Sequence, residues 1–418
     1  MDEKTYVYVD IDNNPKLVGQ LWSRTRKGHE SATFEYQKTW LEDPKRFSLE
    51  PALVLGPGPF HTDEGKALFG AIGDSAPDRW GRVLMRRAER RIAETEHHAP
   101  RTLREIDYLL MVDDEARQGA LRFAKSEGGT FLREDGQERI PPLIELPRLL
   151  AAAEHFSDET ETQEDIRLLL APGSSLGGAR PKASVRGTDG RLLIAKFPHK
   201  MDETSTVLWE ALALKLASKA GIPAASWKLE QISGKPVLLL RRFDREDRRR
   251  IPFLSAMSML GAKDRETHSY LELVDILRQH GARVEEDLEQ LWRRIVFYVL
   301  ISNTDDHLRN WGFLYSGETG WSLSPAYDLN PVSVELKPRV LTTNIDLDDG
   351  TASLDLALSV AEYFNLSSDR ARAIVSEVAK AVTPWRREAA GLRISQAEIE
   401  RMASAFDHDD LSKAKKLA

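Results

Sequence analysis

The sequence contains no cysteine among its 418 residues. Disulfide bonds, thiolate metal sites and cysteine nucleophiles are therefore excluded, and the chain suits a reducing compartment. The sequence also lacks a run of 18 apolar residues, and its first residues, MDEKTYVYVD, lack the basic and apolar stretches of a secretory signal. These absences predict a cytoplasmic protein that does not cross a membrane.

An excess of basic charge is absent as well. The formal net charge is −7 at pH 7 and the pI is about 5.9. Because binding to nucleic acid needs a basic face, this composition argues against DNA binding by the chain alone. Three basic clusters, MRRAERR (85–91), RRFDREDRRR (241–250) and WRREAAGLR (385–393), are interleaved with acidic residues. The pattern of these clusters is typical of solvated helix and loop faces.

The order of apolar residues predicts an α+β protein with a mixed α/β N-terminal half and a mostly helical C-terminal half. Strand patterns occur at 4–9, within 19–36, and at 119–123, 192–197 and 235–244. Helical patterns occur at 68–93, near 146, at 207–220, at 287–300 and within 355–413. A polar stretch at 124–142 is a predicted loop, and it places a domain boundary near its start.

The segment NTDDHLRN (303–310) is the first candidate for chemistry. It follows the predicted helix at 287–300 and precedes the strand-like WGFLY. Phosphoryl transfer needs a carboxylate near the attacking hydroxyl and oxygen ligands for magnesium. Asp305 and Asn310 are five residues apart, the spacing of the base and the metal-binding Asn in a kinase catalytic loop. A polar turn capped by Asp and Asn would account equally well for the segment taken alone.

The segment SPAYDLNP (324–331) supplies a second carboxylate, Asp328. A predicted β-hairpin, GFLYSGETGWSLSP, separates it from Asn310. Kinases return a second metal-binding Asp to the site in this way, although the Phe-Gly that follows this Asp in protein kinases is Leu-Asn here. Taken alone, Asp328 is better explained by the capping of the next turn.

The segment GSSLGGARPKASV (173–185) is a Gly-rich turn that leads into a strand. Its backbone N–H groups could hold phosphates, although it is neither a Walker A motif nor G-x-G-x-x-G. Lys196 follows on an alternating strand, where a kinase lysine would contact phosphates. Glu210 on the next predicted helix is a candidate counter-charge for Lys196, because a lysine in an apolar strand is costly without a partner. A plain turn and a snorkelling lysine remain the alternatives.

The order of these features carries more weight than any one of them. A Gly-rich loop, a strand lysine, a helix glutamate, Asp-x4-Asn, a hairpin and a second Asp follow one another along the chain. This series predicts a two-lobed, protein-kinase-like fold that uses ATP and Mg²⁺.

The chain resembles the HipA family, the kinase toxins of bacterial toxin–antitoxin modules, over nearly its whole length. The resemblance is carried in the N-terminal part by LFGAIGDSAPDRWGRVLM and RQGALRF. In the core it is carried by SSLGGARPKASV, LIAKFP, EALALKLASKAGIP, LLLRRFDR, NTDDHLRNWGFLY and LSPAYDLNP. It implies a HipA-type N-terminal subdomain over 1–125, rich in β-structure, a kinase-like N-lobe over 126–248, and an all-helical C-lobe over 249–418.

The resemblance also implies roles for individual residues. Asp305 would be the catalytic base, with His307 in the same loop, and Asp306 would be a metal or substrate neighbour. The ATP-binding residues would be Gly177, Gly178, Ala179, Lys196, Arg241 and Phe243, of which Arg241 and Phe243 lie in the linker beside the adenine. Asn310 and Asp328 would hold magnesium. Ser175, or the adjacent Ser174, would be the site of inhibitory autophosphorylation.

Family membership would further imply partners and a biological role. The chain would be a Ser/Thr protein kinase and toxin, neutralised by a HipB-like helix-turn-helix antitoxin that carries it to promoter DNA. Its substrate would be a translation-related protein such as an aminoacyl-tRNA synthetase. A small-molecule kinase and a kinase-fold co-repressor without catalysis are the alternatives. The N-terminal resemblance argues against the first alternative, and the intact Lys196, Asp305, Asn310 and Asp328 argue against the second.

Overall fold

The computed structural model describes residues 3–134, 140–173, 178–317 and 320–417. The chain divides into two units: the first comprises Met1–Met201 and Lys228–Leu254, and the second comprises Asp202–Trp227 and Ser255–Ala418. Within the described ranges, no helix combines the length and the apolar character needed to cross a membrane. The predicted domain limits at residues 125 and 248 stay predictions.

The first unit begins with a five-stranded sheet. Its strands are β1 (Glu3–Ile11), β2 (Asn14–Arg26), β3 (His29–Tyr36), β4 (Pro59–His61) and β5 (Leu121–Ala124), in the order β4-β3-β2-β1-β5. All neighbouring strands are antiparallel. The β1–β2 turn places Asp12 and Asn13 at positive φ, which these two residue types tolerate best among those with side chains. The strands predicted at 4–9, within 19–36 and at 119–123 are confirmed.

The described part of the first unit also contains the helices α1 (Lys38–Leu41), α2 (Gly70–Gly73), α3 (Arg79–Thr95), α4 (Glu105–Met111), α5 (Leu146–Ser157) and α6 (Gln163–Gly173). The helical pattern predicted at 68–93 is confirmed by α2 and α3, but the chain breaks between these two helices. Pro77 lacks an N–H, and the side chain of Asp78 accepts from the backbone N–H of Arg79 at 2.8 Å to begin a new helix.

A second sheet contains β6 (Lys182–Arg186), β7 (Leu192–Lys196), β8 (Trp227–Ile232) and β9 (Lys235–Arg241), in the order β6-β7-β9-β8. β7 is antiparallel to both β6 and β9. One face of the sheet shares a hydrophobic core with α3, α5 and α6, to which Trp80, Leu149, Leu169 and Val185 contribute. The predicted strands at 192–197 and 235–244 are therefore confirmed as the centre of this sheet.

The chain after β9 enters a buried network of charges. The segment contains β10 (Arg245–Glu246) and β11 (Arg249–Arg250), and β12 (Phe253–Ser255) follows. Asp244 accepts hydrogen bonds from the side chains of Arg242 and Arg245. Asp114 pairs with Arg250 at 2.8 Å. The prediction of a solvated face at 241–250 is wrong here, since Asp244 within the segment and Asp114 from elsewhere in the unit allow several of these guanidinium groups to be buried.

The second unit is mainly helical. Its helices are α7 (Thr206–Lys219), α8 (Ala256–Leu260), α9 (Tyr270–His280), α10 (Val284–Ile301), α11 (Leu354–Ser359), α12 (Ser368–Val382), α13 (Trp385–Gly391), α14 (Gln396–Arg401) and α15 (Asp409–Lys416). Every residue of α10 from Leu291 to Ile301 is buried, because α9, α11, α12 and α15 pack around it. The predicted helices at 207–220 and 287–300 are confirmed.

The prediction of an all-helical C-lobe over 249–418 is wrong. The second unit contains β13 (Gly312–Tyr315) and β14 (Trp321–Leu323), which pair as an antiparallel hairpin. Two glycines at positive φ, Gly317 and Gly320, lie between β13 and β14. The hairpin follows the site segment directly and leads to Asp328.

Candidate active site

The end of α10 is fixed by one arginine. Ser302 ends the helix in the left-handed conformation, at φ 51°. Arg339 donates to the hydroxyl of Ser302 and to the carbonyl of Val299, both at 3.0 Å, and its charge pairs with Asp410 at 2.8 Å. The last carbonyls of a helix otherwise lack partners, so this contact stabilises the point where residues 303–310 leave the helix.

A hydrogen bond joins Asp305 and Asn310, which are five residues apart in the sequence. The side-chain amide of Asn310 donates to the carbonyl of Asp305 at 2.8 Å, and the backbone N–H of Asn310 donates to the carbonyl of His307 at 2.8 Å. This use of the NH₂ group leaves the amide oxygen of Asn310 as its remaining acceptor. The side chain of Asp305 is exposed. The loop therefore offers one exposed carboxylate and, five residues on, one oriented amide.

The side chain of Asp306 is enclosed by the protein, whereas that of Asp305 is exposed. It is 0% exposed, and its carboxylate accepts from the Tyr270 hydroxyl and, at 2.6 Å, from the backbone N–H of Thr342. Its carbonyl accepts from the Thr343 hydroxyl at 2.8 Å. Asp306 thus ties the loop to the segment after Asp328, and the earlier interpretation of Asp306 as a metal or substrate neighbour is wrong because its oxygens are already used inside the protein.

Burial raises the pKa of Asp306 to about 6, despite the hydrogen bonds that it accepts from Tyr270 and Thr342. Between pH 3.8 and about 6 the folded state therefore binds more protons than the unfolded chain, so that this group makes the protein less stable as the pH rises. From about pH 4 to about pH 7, the free energy of unfolding of the wild type should fall relative to Asp306→Asn by up to about 3 kcal/mol.

Urea unfolding of both proteins at several pH values measures this difference. Asp306→Asn is the informative variant, because its amide oxygen can still accept from Thr342 while its NH₂ group donates to the Tyr270 oxygen. A difference that stays constant with pH would contradict the titration of Asp306 in this range.

Asp328 lies in a segment that is bonded to the same loop on both of its sides. The Tyr327 hydroxyl donates to the carbonyl of Arg309 at 2.8 Å. The backbone N–H of Asn330 donates to the side-chain oxygen of Asn303 at 2.9 Å. Asp328 itself has φ 56°, a conformation that costs free energy for a residue with a side chain and that collects at functional sites. The fold therefore brings Asp328 to the loop of Asp305 and Asn310.

Three buried polar atoms of this region have no hydrogen-bond partner among the residues that the structure describes: Thr304 Oγ1, His307 Nδ1 and Asn330 Oδ1. Buried polar groups in proteins are nearly always hydrogen-bonded to protein, water or ligand. These three atoms lie in the two segments that carry Asp305 and Asp328, where water or a ligand would be their hydrogen-bond partner.

The donors present suit magnesium better than a metal held by protein ligands alone. Within the described ranges, no group of three or more His, Cys, Asp or Glu side chains is arranged to hold a metal ion. Mg²⁺ is commonly bound through one or two protein oxygens, with waters and phosphate oxygens completing its octahedron. The amide oxygen of Asn310 and the carboxylate of Asp328 fit that donor set.

In the Gly-rich segment, residues 174–177 lie outside the described residues, and these include Ser174, Ser175 and Gly177. Gly178 has φ 78°, as a phosphate-binding turn requires, and Ala179 is exposed. Lys182 begins β6 directly opposite Lys196 on β7, and it is only 6% exposed. Lys182 was not singled out from the sequence. Lys182 and Ser184 alternate with apolar residues, and this pattern could have indicated a lysine on one face of a strand.

Three further predicted residues have defined places but untested roles. Arg241 ends β9 opposite Leu193, and the Phe243 ring lies 6.3 Å from that of Phe253. Glu210 is 3% exposed on α7, a helix that packs with α12 and α13 in the second unit. The pairing of Glu210 with Lys196 and the adenine contacts of Arg241 and Phe243 stay predictions.

Comparison with known proteins agrees with both parts of the sequence. Residues 9–111 match the HipA N-terminal domain, and residues 174–385 match the HipA-like C-terminal domain. A protein of Sinorhizobium fredii (strain NBRC 101917 / NGR234), named "Putative kinase Y4mE", is 23% identical over 431 residues, which cover 93% of this chain and 94% of that protein.

The fold of the chain is also found in a solved structure, the complex of HipA and HipB of Shewanella oneidensis MR-1 with its operator DNA. The likeness has a TM-score of 0.64 at 15% identity, and it covers 99% of this chain and 97% of that chain. At this identity the likeness is one of fold. The family matches, which account for most of the chain, are independent of it, and together they show that this chain belongs to the HipA family.

Proposed function

We propose that the chain is an ATP- and Mg²⁺-dependent Ser/Thr protein kinase and the toxin of a toxin–antitoxin pair. The proposal is based on one observation about the loop 303–310. Within it Asn310 donates to the Asp305 carbonyl, and the residues that flank Asp328 bond to the same loop. An exposed carboxylate and an oriented amide oxygen on one loop, with a second carboxylate on a segment bonded to that loop, are the parts that phosphoryl transfer needs.

Each part has a stated task in this proposal. The exposed carboxylate of Asp305 accepts the proton of the substrate hydroxyl as that hydroxyl attacks. Asn310 and Asp328 would hold Mg²⁺ through their side-chain oxygens, and the ion would supply positive charge against the transferred phosphoryl group. The buried contacts of Asp306 with Tyr270 and Thr342 keep the loop in place, so that little reorganisation is needed during the reaction.

The paired lysines of the first unit support the use of a nucleotide. Lys182 and Lys196 lie directly opposite each other on β6 and β7, so two cationic residues stand side by side in the sheet. Lysine ammonium groups bind phosphate oxygens, and the phosphates of ATP carry several of them. We therefore add Lys182 to Lys196 as a phosphate-binding residue.

The proposed partner is a HipB-like antitoxin, because the similar HipA structure contains HipB and operator DNA. The net charge of −7 supports contact with promoter DNA through that partner. We also propose a translation-related protein as substrate, such as an aminoacyl-tRNA synthetase, the cytoplasm as the site of action, and autophosphorylation at Ser175, where a phosphate would compete for the lysines that bind ATP.

The proposal is tested by incubating the protein with Mg²⁺, radiolabelled ATP and cell lysate, beside Asp328→Asn and a sample with EDTA. Label is expected on the chain itself and on one lysate protein, and it should be lost with EDTA. Asp328→Asn should need at least about tenfold more Mg²⁺ for half-maximal labelling, because a charged ligand contributes at least about 1.4 kcal/mol.

The other outcomes distinguish the alternatives. Label on a small molecule would indicate a small-molecule kinase. No label in any fraction, with tight binding to a DNA-bound partner, would indicate a co-repressor without catalysis. Labelling by Asp328→Asn with unchanged Mg²⁺ dependence would remove Asp328 from the metal site.

A further inference from the structure

The start of α3 belongs to the N-terminal motif LFGAIGDSAPDRWGRVLM, which the proposed reaction does not use. Asp78 holds two backbone N–H groups with its two carboxylate oxygens. One oxygen accepts from Arg79 at 2.8 Å and begins α3, and the other accepts from Gly178 at 2.7 Å. A single carboxylate thus joins a helix of the N-terminal domain to the Gly-rich segment, 100 residues further along the chain.

Trp80 holds the same segment at two more points. Its backbone N–H donates to the carbonyl of Gly178 at 3.0 Å, and its indole N–H donates to the carbonyl of Lys182 at 2.9 Å. The indole is 5% exposed and packs edge-on against Phe156, with the ring centroids 5.1 Å apart. The N–H of Gly178 is therefore bonded to Asp78, which caps α3, and the carbonyl of Gly178 is bonded to Trp80 in the first turn of α3. Trp80 is itself anchored in the core.

These contacts determine where the Lys182 ammonium lies. A Cβ atom added to Gly178 would come within 2.7 Å of Lys182 Nζ, so this side chain lies against the glycine. Gly178 keeps φ 78°, a conformation available to it because it has no Cβ atom. Because Gly178 and the Lys182 carbonyl are both held by α3, the position of the ammonium against Gly178 depends on α3 as well.

The charge of Asp78 would oppose an ATP phosphate if it faced one directly. Its two oxygens are instead directed at the N-terminus of α3, where the helix dipole favours an anion, and at the Gly178 N–H. Arg82 on the same helix adds positive charge near Asp78. Asp78 is thus placed to fix the loop without contacting the nucleotide.

We propose that Asp78 and Trp80 are positioning residues of the nucleotide site, through which the N-terminal domain holds Gly178 and Lys182 in the conformation that receives ATP phosphates. The inference rests on the proposed kinase function and extends it, since it makes the N-terminal domain part of ATP binding. It predicts an effect on ATP affinity and little effect on turnover once ATP is bound.

The test uses the full chain with Asp78→Ser. Serine keeps an oxygen that can cap α3 but is too short to hold Gly178 as well. We expect the KM for ATP and the Kd for Mg-ATP to rise about tenfold, the equivalent of one lost charged hydrogen bond. The rate at saturating ATP should stay within about twofold, and the amides of residues 178–182 should exchange hydrogen about tenfold faster without nucleotide.

Asp107→Ser is the matched control, because Asp107 caps α4 in the same unit by accepting from the backbone of Arg104 at 2.8 Å. It should change neither the KM for ATP nor exchange at 178–182. Trp80→Phe is a second variant that keeps a ring in the core but loses the bond to Lys182, and it should raise the KM for ATP in the same way. It tests the inference independently if Asp78→Ser does not fold.

The outcomes separate this inference from the proposed function. If the wild type binds Mg-ATP and Asp78→Ser and Trp80→Phe bind it equally well, the inference is wrong and the kinase proposal stands. If exchange at 178–182 is unchanged in both variants, or if Asp107→Ser matches them, the inference is also wrong. If the wild type binds no Mg-ATP, the proposed function fails, and the inference fails with it.

Discussion

Asp305→Asn is expected to lower phosphoryl transfer by about 10²- to 10⁴-fold while leaving the fold and Mg-ATP binding intact. The carboxylate is exposed, and it is the carbonyl of Asp305, not its side chain, that Asn310 holds. An amide at this position keeps the size and the local backbone contacts but cannot accept the proton of an attacking hydroxyl. The loss should therefore appear in the rate at saturating ATP, with the Kd for Mg-ATP within about twofold.

The measurement is single-turnover transfer of label from ATP to the lysate substrate, together with the unfolding midpoint of each protein. Asp355→Asn is the control, since it removes the same charge from a carboxylate of the same unit that is 69% exposed and pairs with Lys413. It should keep full activity. Transfer by Asp305→Asn at the wild-type rate would show that another group accepts the proton, and an equal loss in Asp355→Asn would show an unspecific effect of charge.

The sequence predicted the parts of this site that lie close together in the chain. The five-residue spacing of Asp305 and Asn310 appears in the structure as a direct contact. The hairpin before Asp328 is present as β13 and β14, and it returns the chain to the loop. Spacing over five residues or across one hairpin leaves the backbone few conformations, which is why such local relations can be read from the sequence.

Relations between elements that are far apart in the chain could not be read in this way. No local pattern indicates that Asp78 bonds to Gly178, or that Asp306 bonds to Tyr270. Each of these contacts is set by the packing of separate elements.

The fold shows the same division between local and tertiary causes. The strong periodicities of β1, β7, β9 and α10 predicted these elements correctly. The helical pattern at 68–93 is interrupted because the breaking effect of Pro77 outweighs the apolar spacing on its two sides. The predicted solvated cluster at 241–250 failed because a charge run does not show that its own Asp244, and Asp114 from elsewhere in the unit, are buried. The buried charges around Asp244 are the basis of the second large expected effect, which is on the free energy of unfolding.

Asp244→Asn is expected to lower the free energy of unfolding by about 3 kcal/mol, the scale of breaking a buried ion pair. Asp244 is 4% exposed and accepts from Arg242 at 2.6 Å, from Arg245 at 2.9 Å and from the backbone N–H of Gly119 at 2.8 Å. The neutral amide has one acceptor oxygen for these donors, and it leaves two buried guanidinium charges without a counter-charge.

The pH dependence gives a second, independent expectation. Burial alone would raise the pKa of Asp244, but the charges of Arg242 and Arg245 outweigh it and hold that pKa well below the ordinary 3.8. Because the folded state keeps the carboxylate ionised where the unfolded chain takes up a proton, its contribution to stability is present above pH 3.8 and is lost as the pH falls further. The advantage of the wild type over Asp244→Asn should shrink in that range.

Asp247→Asn is the matched control, made three residues further on, where the carboxylate is 76% exposed and pairs with Arg191. It should cost less than about 1 kcal/mol in urea unfolding. An equal cost in both variants would mean that burial of the Asp244 network contributes nothing. A larger cost for Asp244→Asn, together with weaker Mg-ATP binding, would tie the network to the nucleotide site, because Arg242 and Asp244 lie on either side of Phe243, the residue proposed to lie beside the adenine.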